Sequence, residues 1–372
     1  MIPPPPTTSF GRFFLPGPTE VLPEILAAQR APMIGHRGKG MEELMARIQP
    51  GLQHVFRTKR PVYVASSSAT GFMEGALRNG ARASVLSLVN GAFSERFFKI
   101  ARACGLEAEA LEVPLGQAHA PQMLADALRG KDYDAVTVVH SETATGVLNP
   151  IEELARVAHA AGDVALLVDS VTGIAAAPVE TDAWELDFVL TGSQKAFALP
   201  PGLAFGVAAE SLLARARANT ARGTYFDFLE YESYLAKNQT PNTPALSLLN
   251  ALAAQLDRIR EETIERRWAR HAAMAQRTWA WVDGLRARGV EVEVLAPMGY
   301  RSPTVTCVKV PPRLTGSGIA AALKARGFVI GAGYGPLKDA TFRIGHMGDH
   351  SVAELDVLLA EIEAVMAEGG VR

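Results

Sequence analysis

The sequence predicts an α/β fold: a large domain built on a mostly parallel seven-stranded sheet, and a small α+β domain at the C-terminus. Three observations predict it. Short apolar runs alternate with amphipathic stretches between residues 62 and 207, a long helical run follows, and the final residues mix strands and helices in a new order.

The strand candidates of the first region are 62–65, 84–89, 108–113, 135–139, 164–168, 188–190 and 204–207. Helical patterns at 95–104, 120–129 and 151–161 separate several of them, which suits a sheet covered on both faces. From 245 to 288, Leu249, Leu252, Leu256 and Ile259 recur at helical spacing with Arg and Glu opposite, and Gly289 ends the run. A single helix linking two domains is expected there. Beyond it come an alternating strand at 304–310, a helix at 316–326, short strands at 328–330 and 341–344, and a last helix at 351–368. The expected organisation is an N-terminal arm 1–20, a large domain 21–244, a linking helix 245–288 and a small domain 289–372. Residues before Tyr63 should wrap across both domains, and Pro3 to Pro6 read as an extended tail.

The chain has 372 residues, 48% of them hydrophobic, enough for more than one core. A net charge of −2 supplies no basic footprint for nucleic acid or an anionic membrane. Neither a signal-peptide core at the start nor an apolar run of ~18 residues is evident, so a cytoplasmic protein without membrane partners is expected. Two cysteines, Cys104 and Cys307, make no disulfide framework and lack metal spacing, so no metal is expected.

In open parallel sheets ligands bind beyond the carboxyl ends of the strands, so the residues after each strand carry the most information. After the first run stands Ser66-Ser67-Ser68-Ala69-Thr70-Gly71, opening a helix expected at 72–78. Free N–H groups and hydroxyls at a helix N-terminus suit a phosphate; an ordinary N-cap is the alternative. His140 to Gly146 form a polar loop after the fourth run. Asp169 directly follows Leu166-Leu167-Val168, where a buried carboxylate must be paired or hydrogen-bonded. Thr191-Gly192-Ser193-Gln194-Lys195 follows the sixth run and leads into Ala196-Phe197-Ala198-Leu199, which should desolvate the lysine and make its amine nucleophilic. Phosphate cradle, buried acid and apolar-flanked lysine together match pyridoxal phosphate, which offers an anion, a ring nitrogen whose proton an acid holds, and an aldehyde for a lysine. A nicotinamide enzyme would want GxGxxG where this chain has serines.

Leu15-Pro16-Gly17-Pro18-Thr19, Asn90-Gly91-Ala92-Phe93, Thr145-Gly146-Val147, Val168-Asp169-Ser170-Val171, Gly192-Ser193-Gln194-Lys195, Pro200-Pro201-Gly202 and Phe342-Arg343-Ile344-Gly345 span nearly the whole chain. In this order they resemble the class V aminotransferases of pyridoxal-phosphate fold type I, in particular the alanine–glyoxylate and serine–pyruvate group. The resemblance implies that Lys195 is the Schiff-base lysine and proton carrier, that Asp169 pairs with the ring nitrogen, and that Val171 and Phe93 lie on the two ring faces. It implies Ser68, Ala69 and Thr70 at the phosphate with Gln194 close by, although the family usually has glycine where Ala69 stands. Arg343 would hold the substrate α-carboxylate, assisted by Gly17 and Thr145, and His36-Arg37 matches a segment near the site mouth. Gln239 to Pro244, with Asn242 and Thr243, resembles the loop that reaches the partner subunit's phosphate, and Arg222 to Phe226 approach the same place, so a homodimer with shared sites is implied.

The implied reaction is ping-pong transfer of an amino group from a small donor, alanine or serine-like, to glyoxylate or pyruvate. Aminotransferases for 2-aminoethylphosphonate, ureidoglycine, pyridoxamine or phosphoserine share nearly the same cofactor residues. A desulfurase-like lyase would need a mobile loop cysteine, whereas Cys307 sits in a strand pattern and Cys104 ends a helix. A non-catalytic pyridoxal-phosphate-binding regulator lacks support, because no DNA-binding helical segment or basic patch precedes the domain.

Overall fold

The computed structural model describes residues 12–370; the proline run Pro3 to Pro6 lies outside them. A seven-stranded sheet forms the larger half. Its spatial order is Tyr63–Ala65, Ala204–Ala208, Phe188–Gly192, Ala165–Asp169, Ala135–Val139, Ser84–Val89 and Glu107–Glu112. Only Ala204–Ala208 runs against its neighbours; the other pairings are parallel. Five strands are buried along their whole length, which is why they read as unbroken apolar runs.

The smaller sheet is ordered Arg12–Phe14, Phe328–Ala332, Thr341–Gly345, Val305–Lys309 and Glu293–Val294. Gly316–Ala325 and Val352–Glu368 cover it, the latter opened by a capping box between Ser351 and Glu354. Arg12–Phe14 pairs in parallel with Phe328–Ala332, so residues 12–14 of the expected arm are an edge strand of the small sheet. Among the described residues no helix is long and apolar enough to cross a membrane.

The single linking helix expected at 245–288 is instead two helices, Leu246–Glu262 and Ile264–Ala287. Thr263 breaks the run at φ +67°, outside the helical region, and its hydroxyl caps the second helix by accepting from Arg266 N. The break falls between two cores. Leu249, Leu252, Leu256 and Ile259 join the core of the large sheet, while Met274, Val282 and Leu285 join the core of the small one. Two further helices before Tyr63, Pro23–Ala28 and Lys39–Phe56, pack on Leu246–Glu262.

An aromatic cluster ties the serine-rich turn to the sheet. Phe72 meets Phe188 edge-on at 6.2 Å and Phe226 at 5.7 Å, and Phe188 stacks on Phe228 at 4.7 Å. Its helix is Ala69–Gly80, beginning three residues before the expected 72. Gly71 is required there, since a Cβ would stand 2.4 Å from both Phe226 and the Ser67 hydroxyl.

Candidate active site

The carboxyl ends of the large sheet bring the sequence-predicted residues together. Lys195 leaves the Phe188–Gly192 strand in a turn stapled by Ser193, whose hydroxyl donates to Pro200 O at 2.8 Å and accepts from Leu203 N at 3.2 Å. Ala198 closes the turn at φ +51° by donating its N–H to Lys195 O at 2.8 Å. The lysine is 7% exposed, and its Nζ donates to Pro16 O. Thr19 fastens the same stretch, its N–H to Gln194 O and its hydroxyl to Lys195 O, both at 3.1 Å. Gly17 (φ +99°) lies against the side chain: a Cβ there would be 2.5 Å from Lys195 Cδ and 2.6 Å from Nζ. Burial lowers the amine from its ordinary 10.5 to about 8, with the Asp169 charge opposing that fall.

Asp169 ends the adjacent strand, 2% exposed, with Oδ1 accepting from Val171 N at 2.8 Å. Burial pushes its carboxyl up to about 7; the nearby Glu142 charge adds to the rise and the Lys195 charge resists it. His140 precedes the polar loop, its Nδ1 3.0 Å from the Ser170 hydroxyl, and burial pulls its imidazole down to about 4, so it stays neutral at physiological pH. Val171 is half-buried beside Asp169 and its carbonyl accepts from the Thr191 hydroxyl. Thr145 is fully buried, yet its Oγ1 has no hydrogen-bond partner among the described residues. An orphaned hydroxyl of this kind is costly unless a ligand meets it.

Glu142 went unweighed in the sequence, although it too is an acid just past an apolar strand. It is fully buried and accepts from Phe93 N (3.1 Å), Ser94 N (3.0 Å), Ser94 Oγ (3.0 Å) and Ala144 N (3.0 Å). It thereby fixes the N-terminus of Ala92–Ala103, the backbone of Phe93 included.

At the serine-rich turn, Ser68 occupies the N-cap of Ala69–Gly80, but its side chain makes no capping bond. The ordinary N-cap role is thus not the one its hydroxyl plays. Ala69 has helical backbone rather than a positive φ, so the turn does not need the family's glycine. Thr70 is half-buried in the first turn, and the Gln194 amide oxygen lies close to Gly192, itself near Ala69.

Arg343 faces this pocket from the small sheet. Nε donates to Ala332 O at 2.9 Å and Nη1 to Thr143 O at 3.1 Å, while Nη2 has no hydrogen bond among the described residues. Burial lowers its pKa. Its Cζ lies 5.4 Å from the Tyr334 ring centre; Tyr334 in turn lies 5.7 Å from Phe93, and Arg96 sits 4.9 Å over the other neighbour of that series, the Phe93 ring. Tyr334 and Arg96 had no sequence signal, because only the tertiary fold brings them here.

The remaining candidates sit apart from this group. Arg37 spends its two terminal nitrogens on Thr240 O and Pro241 O and lies 4.8 Å over Tyr234, so it holds the 240–241 turn. His36 is half-buried beside it. Asn242 reaches Tyr225 O at 3.5 Å and Thr243 is exposed; with Ser66 and Tyr225 they line a small hollow at the end of Tyr63–Ala65.

A buried acid, a desolvated amine, an unused N-cap hydroxyl and an orphaned Thr145 hydroxyl fit pyridoxal phosphate group by group. Comparison with known proteins agrees. The family model for Aminotransferase class-V matches residues 73–335. An uncharacterized aminotransferase of Methanocaldococcus jannaschii is 38% identical, over 96% of this chain and 92% of its own. The L-aspartate–glyoxylate aminotransferase of Paracoccus denitrificans is 34% identical, over 98% of this chain and 93% of its own. The crystal structure of an alanine–glyoxylate aminotransferase from Nostoc sp. superposes with a TM-score of 0.90 at 25% identity, covering 98% of each chain. The chain belongs to the class V aminotransferases, pyridoxal-phosphate-dependent enzymes of fold type I.

Proposed function

We propose that the protein moves an amino group from a small amino acid, alanine or serine-like, to a 2-oxo acid such as glyoxylate or pyruvate. The observation that carries this reading is the convergence of Lys195 and Asp169, buried at adjacent strand ends, with an Arg343 guanidinium that still has an unused edge. Bound pyridoxal phosphate supplies an aldehyde for an amine and a ring that accepts the electron pair released at the substrate Cα.

Lys195 would hold the cofactor through its amine and would carry the proton at the substrate Cα. An amine near pH 8 loses and regains a proton readily at neutral pH. Asp169 would hold the proton of the ring nitrogen, and Val171 and Phe93 would bound the ring. Ser68, the Ala69 and Thr70 N–H groups, and Gln194 hold the phosphate at the helix N-terminus. Arg343 takes the α-carboxylate, with Thr145 and Gly17 beside it. The donor leaves as its 2-oxo acid before the acceptor enters, a ping-pong order. A second copy of the chain supplies Asn242 and Thr243 to the phosphate, which the place of exposed Thr243 and half-buried Asn242 beside Ser66 supports, and the dimer works in the cytoplasm.

Aspartate is the second donor to consider. The Paracoccus relative carries that name, and the Arg96 guanidinium sits 4.9 Å over the Phe93 ring, where a second carboxylate could meet it. Sulfur transfer is disfavoured: Cys307 is buried in a strand with its thiol pushed up to about 11, and the half-buried Cys104 thiol is raised too.

The test is glycine formation from glyoxylate with L-alanine, L-serine or L-aspartate as donor, at several concentrations of both partners. Parallel double-reciprocal lines with alanine or serine support the reading. Glycine only with aspartate selects the second donor, and no glycine from any donor rejects the proposal.

A further inference from the structure

The geometry points to Tyr334 as a specificity-determining residue, whose ring walls the pocket against the substrate side chain and restricts it to short α-amino acids. This rests on the small-donor reading above and gives it a physical cause.

The ring joins two elements that carry different parts of the site. On one side it lies 5.4 Å from Cζ of Arg343, on the small sheet; on the other it lies 5.7 Å from Phe93, at the start of a helix of the large core. It therefore spans the space between the carboxylate anchor and the ring-stacking position. The turn that presents it is built to hold one side chain in one place. Gly333 donates to Thr341 O at 2.8 Å and sits so close to Leu337 O that a Cβ would be 1.9 Å away. Leu337 N donates back to Tyr334 O at 3.1 Å, and Gly335 turns at φ +55° before Pro336. Two glycines and a proline shape the turn that presents Tyr334, which is 39% exposed rather than packed into the core. Among the described residues its recorded contacts are those of the ring, with the Arg343 guanidinium and with Phe93.

Gly331, on the strand leading to this turn, is also closely packed. Pro16 Cδ lies 3.3 Å and Arg343 Nη2 3.4 Å from where its Cβ would be, and Pro16 O is the acceptor of Lys195 Nζ. A substrate places its carboxylate on Arg343 and its Cα at Lys195. On this proposal its side chain runs toward the Tyr334–Phe93 pair. A methyl or hydroxymethyl group fits short of the ring; each further methylene presses on it.

The experiment compares wild type, Tyr334→Ala and Tyr334→Phe holoenzymes on L-alanine, L-2-aminobutyrate and L-norvaline with glyoxylate. A pocket that rejects or accepts a methylene discriminates by about tenfold or more. Tyr334→Ala should raise the norvaline-to-alanine ratio of kcat/KM at least tenfold, and Tyr334→Phe should keep the wild-type ratio. A smaller rise in Tyr334→Ala overturns the proposal, as does the same rise in Tyr334→Phe. A second readout needs no turnover: titration of the bound cofactor's visible absorbance with 2-methylalanine and its longer homologue isovaline, which have no Cα proton. Tyr334→Ala should tighten isovaline relative to 2-methylalanine by the same margin. If wild type turns over none of the donors, the small-donor reading fails, while this binding ratio still decides the role of Tyr334.

Discussion

The lysine amine at the end of the sheet should titrate near pH 8 in the cofactor-free protein, and Asp169→Asn should move that midpoint lower. The reasoning is electrostatic. Lys195 is 7% exposed, and burial disfavours its charged form; the Asp169 carboxylate is the group that favours it. At pH 7.5 an ordinary lysine is roughly 0.1% neutral, whereas one at about 8 is roughly one-quarter neutral, a gain of about 200-fold in nucleophile. Between about 7 and 8 the acid is mostly ionised while the amine is mostly protonated, so the two charges coexist in that window. Removing the carboxylate takes away the attraction and leaves the desolvation, so the amine gives up its proton at a lower pH still. Competitive labelling with trace acetic anhydride across a pH series, followed by mass spectrometry of the peptide carrying Lys195, reads the midpoint directly. The exposed Lys99 in the same digest corrects for reagent decay. A midpoint at the ordinary lysine value, or a rise in Asp169→Asn, would refute the argument.

Stability should also depend on pH through Asp169. Its carboxyl keeps a proton up to about 7 when folded but only to about 3.8 when unfolded, so the folded state binds the extra proton in that window and loses stability as pH rises through it. Cofactor-free Asp169→Asn should therefore gain melting temperature over wild type at about pH 8 and gain least at about pH 4.5, and equal gains at both would count against the assignment. Gly17→Ala places a Cβ 2.5 Å from Lys195 Cδ at a backbone angle that suits glycine, so it should cost about 1–3 kcal/mol in urea unfolding and lower borohydride-trapped cofactor at position 195; wild-type values for both would sink this reading. Arg267→Met should cost about 3–5 kcal/mol, because it removes a guanidinium that is 1% exposed and leaves the Asp349 carboxylate with only the Gln255 amide, and a loss below about 1 kcal/mol would show that the network is not needed.

All seven strands of the large sheet can be read from the sequence, five because burial along their whole length turns them into apolar runs, whereas Glu107–Glu112 at the edge alternates glutamate with apolar residues. Their ends are less legible. Phe188–Gly192 continues two residues beyond the apolar stretch, since Thr191 and Gly192 stay in the ladder by pairing with Phe205 and Ala204 rather than by being hydrophobic. Arg12–Phe14 is three residues long, too short for any periodicity. The break at Thr263 is hidden for another reason. A non-glycine residue at positive φ leaves no compositional mark, and the apolar spacing runs on through it on both sides. In the site, Lys195 and Asp169 were visible because a charged residue at the end of an apolar strand is chemically expensive. Glu142 carried the same signal in the polar loop. Arg96 and Tyr334 did not, since their significance lies in contacts between elements far apart in sequence.

The two halves of the molecule meet at the lysine. Arg12–Phe14 is one strand removed from Thr341–Gly345, which carries Arg343, and both flank Phe328–Ala332. The chain leaves that edge strand and within five residues supplies Pro16, Gly17 and Thr19 to the Lys195 turn. From below, Arg267 donates to Ala196 O at 2.6 Å while holding Asp349 at 2.8 Å, and Gly348 beside it would place a Cβ 3.4 Å from Ala198. The lysine turn is thus gripped from above and below by segments anchored to the small sheet, although its own strand belongs to the large one. A shift of the small sheet large enough to move Arg343 must strain or carry these contacts as well. The carboxylate anchor and the reacting amine are therefore set in one frame, and the distance between them is fixed by packing between two cores rather than by either sheet alone.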